Sequence, residues 1–270
     1  MTRAATPADV LAGRARWCVV EGDALAVLAS LPDGCIDAVV TDPPYSSGGF
    51  TRADRTASTD AKYTQTESQG KRPDFTGDSR SQRAFILWCS LWMEEARRAS
   101  SADGRIVTFT DWRQLACMCD AVECGGWIFR GIVPWDKGGG RPVAGGFRSR
   151  CEYVVWGSTG PLPMPKPGVT CLDGLFAVTV RQDDKHHQTG KPTALMRELV
   201  KVAPAGGVVL DPFGGSGTTG VAAILEGRRA ILCERTPDYA EIARRRCEAA
   251  EAGTDWKAPP QQRKMFEVAS

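Results

Sequence analysis

The segment VVLDPFGGSGTTG, residues 208–220, constrains the fold more than any other stretch of the chain. An apolar, β-branched run feeds Gly215-Ser216-Gly217-Thr218-Thr219-Gly220, and a helical pattern, VAAILEG, follows. This is G-x-G-x-x-G in the strand–turn–helix setting that gives the motif meaning. Glycines there let the backbone turn tightly and approach a ligand, while the helix N-terminus offers unpaired N–H groups to its polar atoms. Glu234 ends the next apolar run, RRAILCE, about twenty residues on, where a nucleotide-binding βαβ unit carries its ribose-binding carboxylate. A phosphate-binding loop of the NTPase type is excluded, because G-x-x-x-x-G-K-[ST] needs a lysine that is absent.

On the glycines alone two ligand classes remain: a nicotinamide dinucleotide, and S-adenosylmethionine, which has no pyrophosphate to hold. Chain order bears on the choice. A dinucleotide-binding half needs a third strand after Glu234, yet only the helical pattern PDYAEIARRRCEAAEA and a polar tail follow. The sheet must take that strand from elsewhere, and WCVVEGD near the N-terminus fits. The expected nucleotide unit is therefore circularly permuted, with Asp23 at the end of its third strand.

The rest of the chain alternates strand and helix, which argues for an α/β sheet flanked by helices. ALAVLASL reads as a short helix and CIDAVVTD as a strand. SQRAFILWCSLWMEEARRA reads as a helix whose Phe85, Trp88, Leu91 and Trp92 form a core-facing stripe, closed by SADG before the strand RIVTFTD. WRQLACMCDAVEC reads as helical, and GWIFRGIVPW and SRCEYVVWG as an antiparallel pair joined by a glycine-rich basic loop. KPTALMRELVKVA is a further helix. The expected organisation is an N-terminal extension (1–16), one domain (17–256) and a tail (257–270). Within the domain, 46–80 is a mobile polar loop and 157–185 a small inserted element.

Composition narrows the class. The chain has 270 residues, enough for one large core, and none of its apolar runs approaches the roughly 18 residues of a membrane span. The N-terminus has no apolar core of signal-peptide type, so a cytoplasmic location is expected. The ten cysteines sit largely inside apolar runs, as small buried hydrophobes do. Neither Cys117, Cys119 and Cys124 nor the lone pair His186 and His187 supplies zinc-ligand spacing, so no metal is expected. A net charge of +2 leaves nucleic-acid contact to local patches. Candidates are Arg52, Arg55, Lys62, Lys71 and Arg72 in the polar loop, and Lys137, Arg141, Arg148 and Arg150 in the glycine-rich one.

The strand CIDAVV stops at Asp42-Pro43-Pro44-Tyr45. Two prolines remove two ladder donors and stiffen the turn, which can present carbonyls and one carboxylate inward. Acceptors beside an aromatic face suit an NH₂ group on a flat heterocycle. The amino group of adenine or cytosine is conjugated with its ring and is a poor nucleophile. The Asp42 carboxylate and the Pro43 carbonyl could take its two hydrogens and favour a tetrahedral nitrogen with a free lone pair. A base in a duplex must leave the stack to arrive there, and Tyr45 could stack on it.

TDPPY near the N-terminus, with HQTGKPTALM and VVLDPFGGSGTT near the C-terminus, resembles the permuted (β-group) DNA amino-methyltransferases, over residues 17 to 250. EGDAL and FRSRCEYVVWG are similar to further segments of that family. The resemblance implies a Rossmann-like, seven-stranded methyltransferase sheet with helices on both faces, S-adenosylmethionine as donor and double-stranded DNA as substrate. Homodimers are common in that family. Carried over by position, Asp42, Pro43, Pro44 and Tyr45 form the catalytic motif. Asp211, Pro212, Phe213, Gly215, Ser216, Gly217 and Thr218 surround the methionine part of the cofactor. Glu234 holds its ribose, Asp23 its adenine edge, and Lys191 closes over its carboxylate. Aspartate at the first motif position points to adenine N6, where serine usually accompanies cytosine N4. The segment 157–185 is short beside many recognition domains, so Arg52, Lys71, Arg72, Lys137, Arg141 and Arg148 are the expected DNA contacts. The alternatives are the same chemistry on cytosine N4, an NAD(P)-dependent oxidoreductase, a protein or RNA methyltransferase, and a DNA-binding module on a decayed methyltransferase fold.

Overall fold

The computed structural model describes residues 4–45, 80–140, 144–164, 171–179 and 190–255. Its strands are Trp17–Glu21 (β1), Ile36–Thr41 (β2), Ser100–Thr110 (β3), Ile128–Asp136 (β4), Cys151–Ser158 (β5), Phe176–Ala177 (β6), Val208–Asp211 (β7) and Arg229–Glu234 (β8). Its helices are Pro7–Leu11 (α1), Ala24–Ala29 (α2), Gln82–Ala99 (α3), Leu115–Cys124 (α4), Thr193–Leu199 (α5), Thr218–Leu225 (α6) and Pro237–Ala252 (α7). The strands form one sheet in the order β1-β8-β7-β2-β3-β5-β4-β6. The first five in that order run parallel. β5 is antiparallel to both β3 and β4. The two-residue β6 lies parallel to β4 and makes an eighth strand where seven were expected.

The N-terminal strand β1 lies beside β8, with Val19 opposite Leu232 and Glu21 opposite Glu234. As a result the carboxyl ends of four neighbouring parallel strands each end in or lead to an acid. Across the sheet these are Asp23, Glu234, Asp211 and Asp42. Ligands of open α/β sheets gather at such strand ends.

The strand residues alternate between two cores, as a sheet covered on both faces requires. Val39, Leu210 and Ile231 pack with Phe85, Trp92, Met93 and Met118 from α3 and α4. Val40, Val209 and Ala230 pack with Leu195, Met196, Ala222 and Ala223 from α5 and α6. α3 is capped by the Ser81 hydroxyl, which accepts from the Ala84 N–H, and it buries Phe85, Cys89, Trp92, Met93, Ala96 and Ala99. These lie on one stripe at spacings of three and four. Leu91 falls outside that stripe and is exposed, so its assignment to the core face is corrected.

Two further differences have local causes. SADG does not close α3; it lies within β3. Ile36 pairs with Ser100 and Ala38 with Arg105, so the intervening residues bulge out of the ladder. The segment read as an N-terminal extension contains α1, started by a Thr6–Asp9 capping box with Pro7 in the first turn. Val10 of α1 is fully buried, and Arg229 donates to its carbonyl at 2.7 Å. Among the described residues no helix is long and apolar enough to cross a membrane, and no three His, Cys, Asp or Glu side chains converge as a metal site. The polar loop, apart from its last residue Arg80, lies outside the described residues, as do 165–170 and 180–185 of the inserted element, residue 256 and the tail 257–270.

Candidate active site

The glycine loop is fixed by contacts a side chain would prevent. Gly215 and Gly217 have φ of 50° and 83°, the left-handed region that glycine tolerates. A Cβ on Gly217 would lie 2.8 Å from the Cβ of Ala243 in α7. One on Gly220 would lie 2.7 Å from Leu232 Cδ1 and 2.8 Å from Cys247 Sγ. The two glycines thus set how closely α6 approaches α7 and β8. From α7 the buried Arg246 reaches under the turn, and its Nη1 donates to the Ser216 carbonyl (2.7 Å), Ser216 Oγ (3.1 Å) and Thr218 Oγ1 (3.0 Å).

Asp211 ties the loop to the end of β2. Its carboxylate accepts from Thr41 Oγ1 at 2.6 Å, Thr219 Oγ1 at 2.5 Å and the Phe213 N–H at 3.0 Å. These donors come from the ends of β2 and α6 and from the turn after β7. Burial pushes the Asp211 carboxyl up to about 6 despite the three hydrogen bonds. Glu234 accepts from the Gly215 N–H at 2.8 Å and the Thr236 N–H at 2.7 Å. Asp23 caps α2 through Oδ1, which accepts from Leu25 N–H at 3.1 Å and Ala26 N–H at 3.4 Å.

These groups border a cavity of about 340 Å³. Asp23, Asp42, Pro43, Pro44, Tyr45 and Lys191 line it, as do Asp211, Pro212, Phe213, Gly215, Ser216, Thr218 and Glu234. Gly217 does not: its Cα faces Ala243, so its part is the turn and not the cavity wall. Trp88 and Trp92, read from the sequence as core, also line the cavity. Both pack on Phe213 with ring centroids 5.3 Å apart, and Arg80 sits 4.1 Å over the Trp88 ring. The helical stripe could not reveal this, because Trp92 is fully buried and still presents an edge to the cavity.

At the other end of the cavity charge dominates. The Tyr45 hydroxyl donates to Asp42 Oδ1, and Lys191 Nζ donates to Asp42 Oδ2 at 2.6 Å. Lys191 Nζ is also 3.3 Å from Glu152 Oε2, while Lys137 Nζ donates to Glu152 Oε1 at 3.1 Å. The Lys191 ammonium lies 5.3 Å from the centroid of Tyr45 and 5.0 Å from that of Phe109. Burial raises the Asp42 carboxyl although Lys191 opposes it. For Lys191, burial would lower the ammonium, but the carboxylates of Asp42 and Glu152 outweigh it and hold the group above its usual range. Glu152 is held below its usual value: burial acts against this, and the two lysines prevail.

The predicted residues therefore divide. The catalytic and cofactor sets converge, apart from Gly217. Lys191 lines the cavity, and its ammonium pairs with Asp42 and Glu152. Lys137, expected on DNA, is paired inward with Glu152. Arg148 is exposed on the loop between β4 and β5, beside Phe147 at 97% exposure. Arg150 is paired with Asp136 through two nitrogens, at 3.1 and 2.5 Å. Arg52, Lys71, Arg72 and Arg141 lie outside the described residues. Sequence reasoning missed Glu152 and Arg246. The signal for each was a charge inside an apolar pattern, within CEYVVW and between Ala243 and Cys247.

Comparison with known proteins identifies the family and the fold. A family profile described as DNA methylase, N6_N4_Mtase, matches residues 36–167 and 173–245. YubD of Escherichia coli K12, a presumed methylase by its name, is 27% identical over 249 residues, covering 89% of this chain and 97% of YubD. The type II methyltransferase M.HinfI of Haemophilus influenzae is 25% identical over 257 residues, covering 84% of this chain and 67% of its own length. Among solved structures, the M1.HpyAVI–SAM complex superposes with a TM-score of 0.60 at 20% identity, over 85% of this chain and 98% of that one. PvuII DNA methyltransferase, cytosine-N4-specific, reaches 0.66 at 17% identity, over 92% and 90%. With both the glycine cradle and the Asp-Pro-Pro-Tyr turn inside the matched span, the chain belongs to the N6_N4_Mtase family of DNA methylases.

Proposed function

We propose that this protein transfers a methyl group from S-adenosylmethionine to the exocyclic N6 amine of an adenine flipped out of double-stranded DNA. The observation that carries the reading is the meeting, in one cavity, of the Asp42-Pro43-Pro44-Tyr45 turn and the strand-end glycine loop. The motif order, with the glycine loop C-terminal to the catalytic turn, supports a permuted family member.

The residues fit the cofactor. Each Glu234 oxygen accepts one backbone N–H, which leaves lone pairs for a ribose diol. Asp23 faces the cavity two strand ends from Asp211 and would meet the adenine edge. Trp88, Trp92 and Phe213 form an apolar wall. When bound, S-adenosylmethionine supplies an electrophilic methyl carbon. The chain supplies the rest. Asp42 and the Pro43 carbonyl accept the amine hydrogens, so the nitrogen lone pair is released from the ring, and the Tyr45 ring stacks on the extruded base. Aspartate at the first motif position favours adenine over cytosine. Arg148 supplies a phosphate contact from the exposed loop.

The test is nucleoside mass spectrometry of unmethylated DNA incubated with the protein and methyl-labelled S-adenosylmethionine. Label in N6-methyladenine is the expected result. Label in N4-methylcytosine would move the acceptor while keeping the chemistry. Cofactor binding with no label in DNA would overturn the assignment.

A further inference from the structure

The Asp-Pro-Pro-Tyr turn accounts for Asp42, but nothing in the reaction as described calls for a second buried carboxylate behind it. Glu152 projects from β5, is 19% exposed at its side chain, and shares Lys191 with Asp42. Both Asp42 oxygens are engaged in the free protein, Oδ1 by the Tyr45 hydroxyl and Oδ2 by Lys191. An amine hydrogen arriving at Asp42 must displace or share with one of them, and Tyr45 must swing if its ring is to stack on a base. Lys191 cannot simply withdraw, because its side chain is 6% exposed and a buried ammonium needs a counter-charge. The one other carboxylate within ion-pair distance of it among the described residues is that of Glu152. At 3.3 Å, with no hydrogen bond to Oε2, that contact is looser than the 2.6 Å contact to Asp42. Glu152 Oε2 can therefore take a closer contact with the ammonium than it now makes.

We infer that Glu152 is a positioning residue that receives the Lys191 ammonium when the target amine takes Asp42. This deepens the proposed methyl transfer and rests on it. In the free protein the order Lys137–Glu152–Lys191–Asp42 alternates in sign, and Tyr45 closes its end. Binding of the base moves Lys191 by one contact toward Glu152, so the ammonium keeps a counter-charge while Asp42 Oδ2 turns to the amine hydrogen. Lys137, 31% exposed at its side chain, secures the far oxygen of Glu152 and keeps it ionised. The other charged or titratable groups bearing on this cluster are Asp211 from β7, which feels Asp42, and Asp111 after β3, which feels Tyr45.

The test compares wild type with Glu152→Gln and Glu152→Asp in single-turnover methylation across pH, with calorimetric cofactor affinity and melting temperature measured alongside. Glu152→Gln leaves Lys191 with Asp42 as its only counter-charge, so the rate constant falls roughly tenfold or more while cofactor Kd stays within about threefold. The acid limb of the pH profile moves to lower pH, because Asp42 loses a repelling neighbour and keeps its lysine. Mere damage to the fold would not move that limb downward. Glu152→Asp keeps the charge and recovers most of the rate. A wild-type rate in Glu152→Gln overturns the inference. So does a slow Glu152→Gln whose acid limb stays in place, or one that Glu152→Asp fails to rescue. If the wild type itself labels no DNA, the proposed methyl transfer has failed, and that outcome is read before either variant is compared.

Discussion

The two ends of the cavity are built on opposite principles. The glycine-loop end is held by close packing and by donors aimed at fixed acceptors. Gly217 and Gly220 admit α7 and β8, Arg246 props the turn, and Asp211 stitches β2, β7 and α6 together. The Asp42 end is held by alternating charges whose partners can be exchanged. The first is a cradle shaped before its ligand arrives. The second is closed on itself, and in the exchange inferred above the substrate rearranges it. The difference suits the methyl transfer proposed above, in which one small cofactor is held in one pose and the base is admitted only after leaving a duplex.

Removing the shared cation should break the charged end most severely. Lys191→Met leaves the partly buried carboxylates of Asp42 and Glu152 without their shared ammonium, a change expected to cost about 2–4 kcal/mol. Part of that loss should return as pH falls, since one carboxylate can take a proton; urea unfolding at pH 8 and pH 5 measures both. At the packed end, Gly217→Ala forces a Cβ to within 2.8 Å of Ala243 at a positive φ. It should cost about 1–3 kcal/mol and weaken cofactor binding, and unlike Lys191→Met its penalty should not depend on pH.

Asp211 sharpens the contrast, because it is the one strongly perturbed carboxylate at the packed end. Its folded value of about 6 lies above the unfolded value, so between roughly pH 4 and pH 6 the folded state binds more protons. Stability from this group is therefore fully present below about pH 4 and is lost as pH rises through about 6, by about 2–3 kcal/mol in all. Subtracting the stability of Asp211→Asn from that of wild type at each pH isolates it, and the difference should shift in favour of wild type as pH falls. The smallest effect belongs to the exposed loop. Arg148→Ala should leave stability within about 0.5 kcal/mol and reduce the salt slope of DNA binding by about one. An unchanged slope would remove Arg148 from the DNA surface.

The cradle was legible in the sequence because its determinants are local. G-x-G-x-x-G, the apolar run before it and Glu234 after β8 all follow from spacing along one strand–helix–strand unit. The placing of β1 beside β8 followed from the missing third strand. The charged end was legible only in part. Asp42 announced itself through the prolines that end β2, but its cation comes from the segment before α5 and that cation's second carboxylate from β5, and no periodicity links those positions. Lys191 was singled out for its motif, but its ion pairs with Asp42 and Glu152 were not foreseen. Lys137 looked like one more basic residue in a glycine-rich loop, when its charge is used behind Glu152. Trp88 and Trp92 show a limit of stripe reasoning, since a core face and a cavity wall can be the same face. The SADG bulge arises because β3 pairs with β2 on both sides of it, a long-range contact that the turn-like composition conceals.

The separation of cradle and acceptor is tested most directly by measuring S-adenosylmethionine affinity and single-turnover methyl transfer to DNA on one preparation each of wild type and Asp42→Ala. Asp42→Ala should bind the cofactor within about threefold of wild type and transfer methyl groups at least about a thousandfold more slowly. Transfer that survives the substitution, or cofactor affinity that falls along with the rate, would contradict the account.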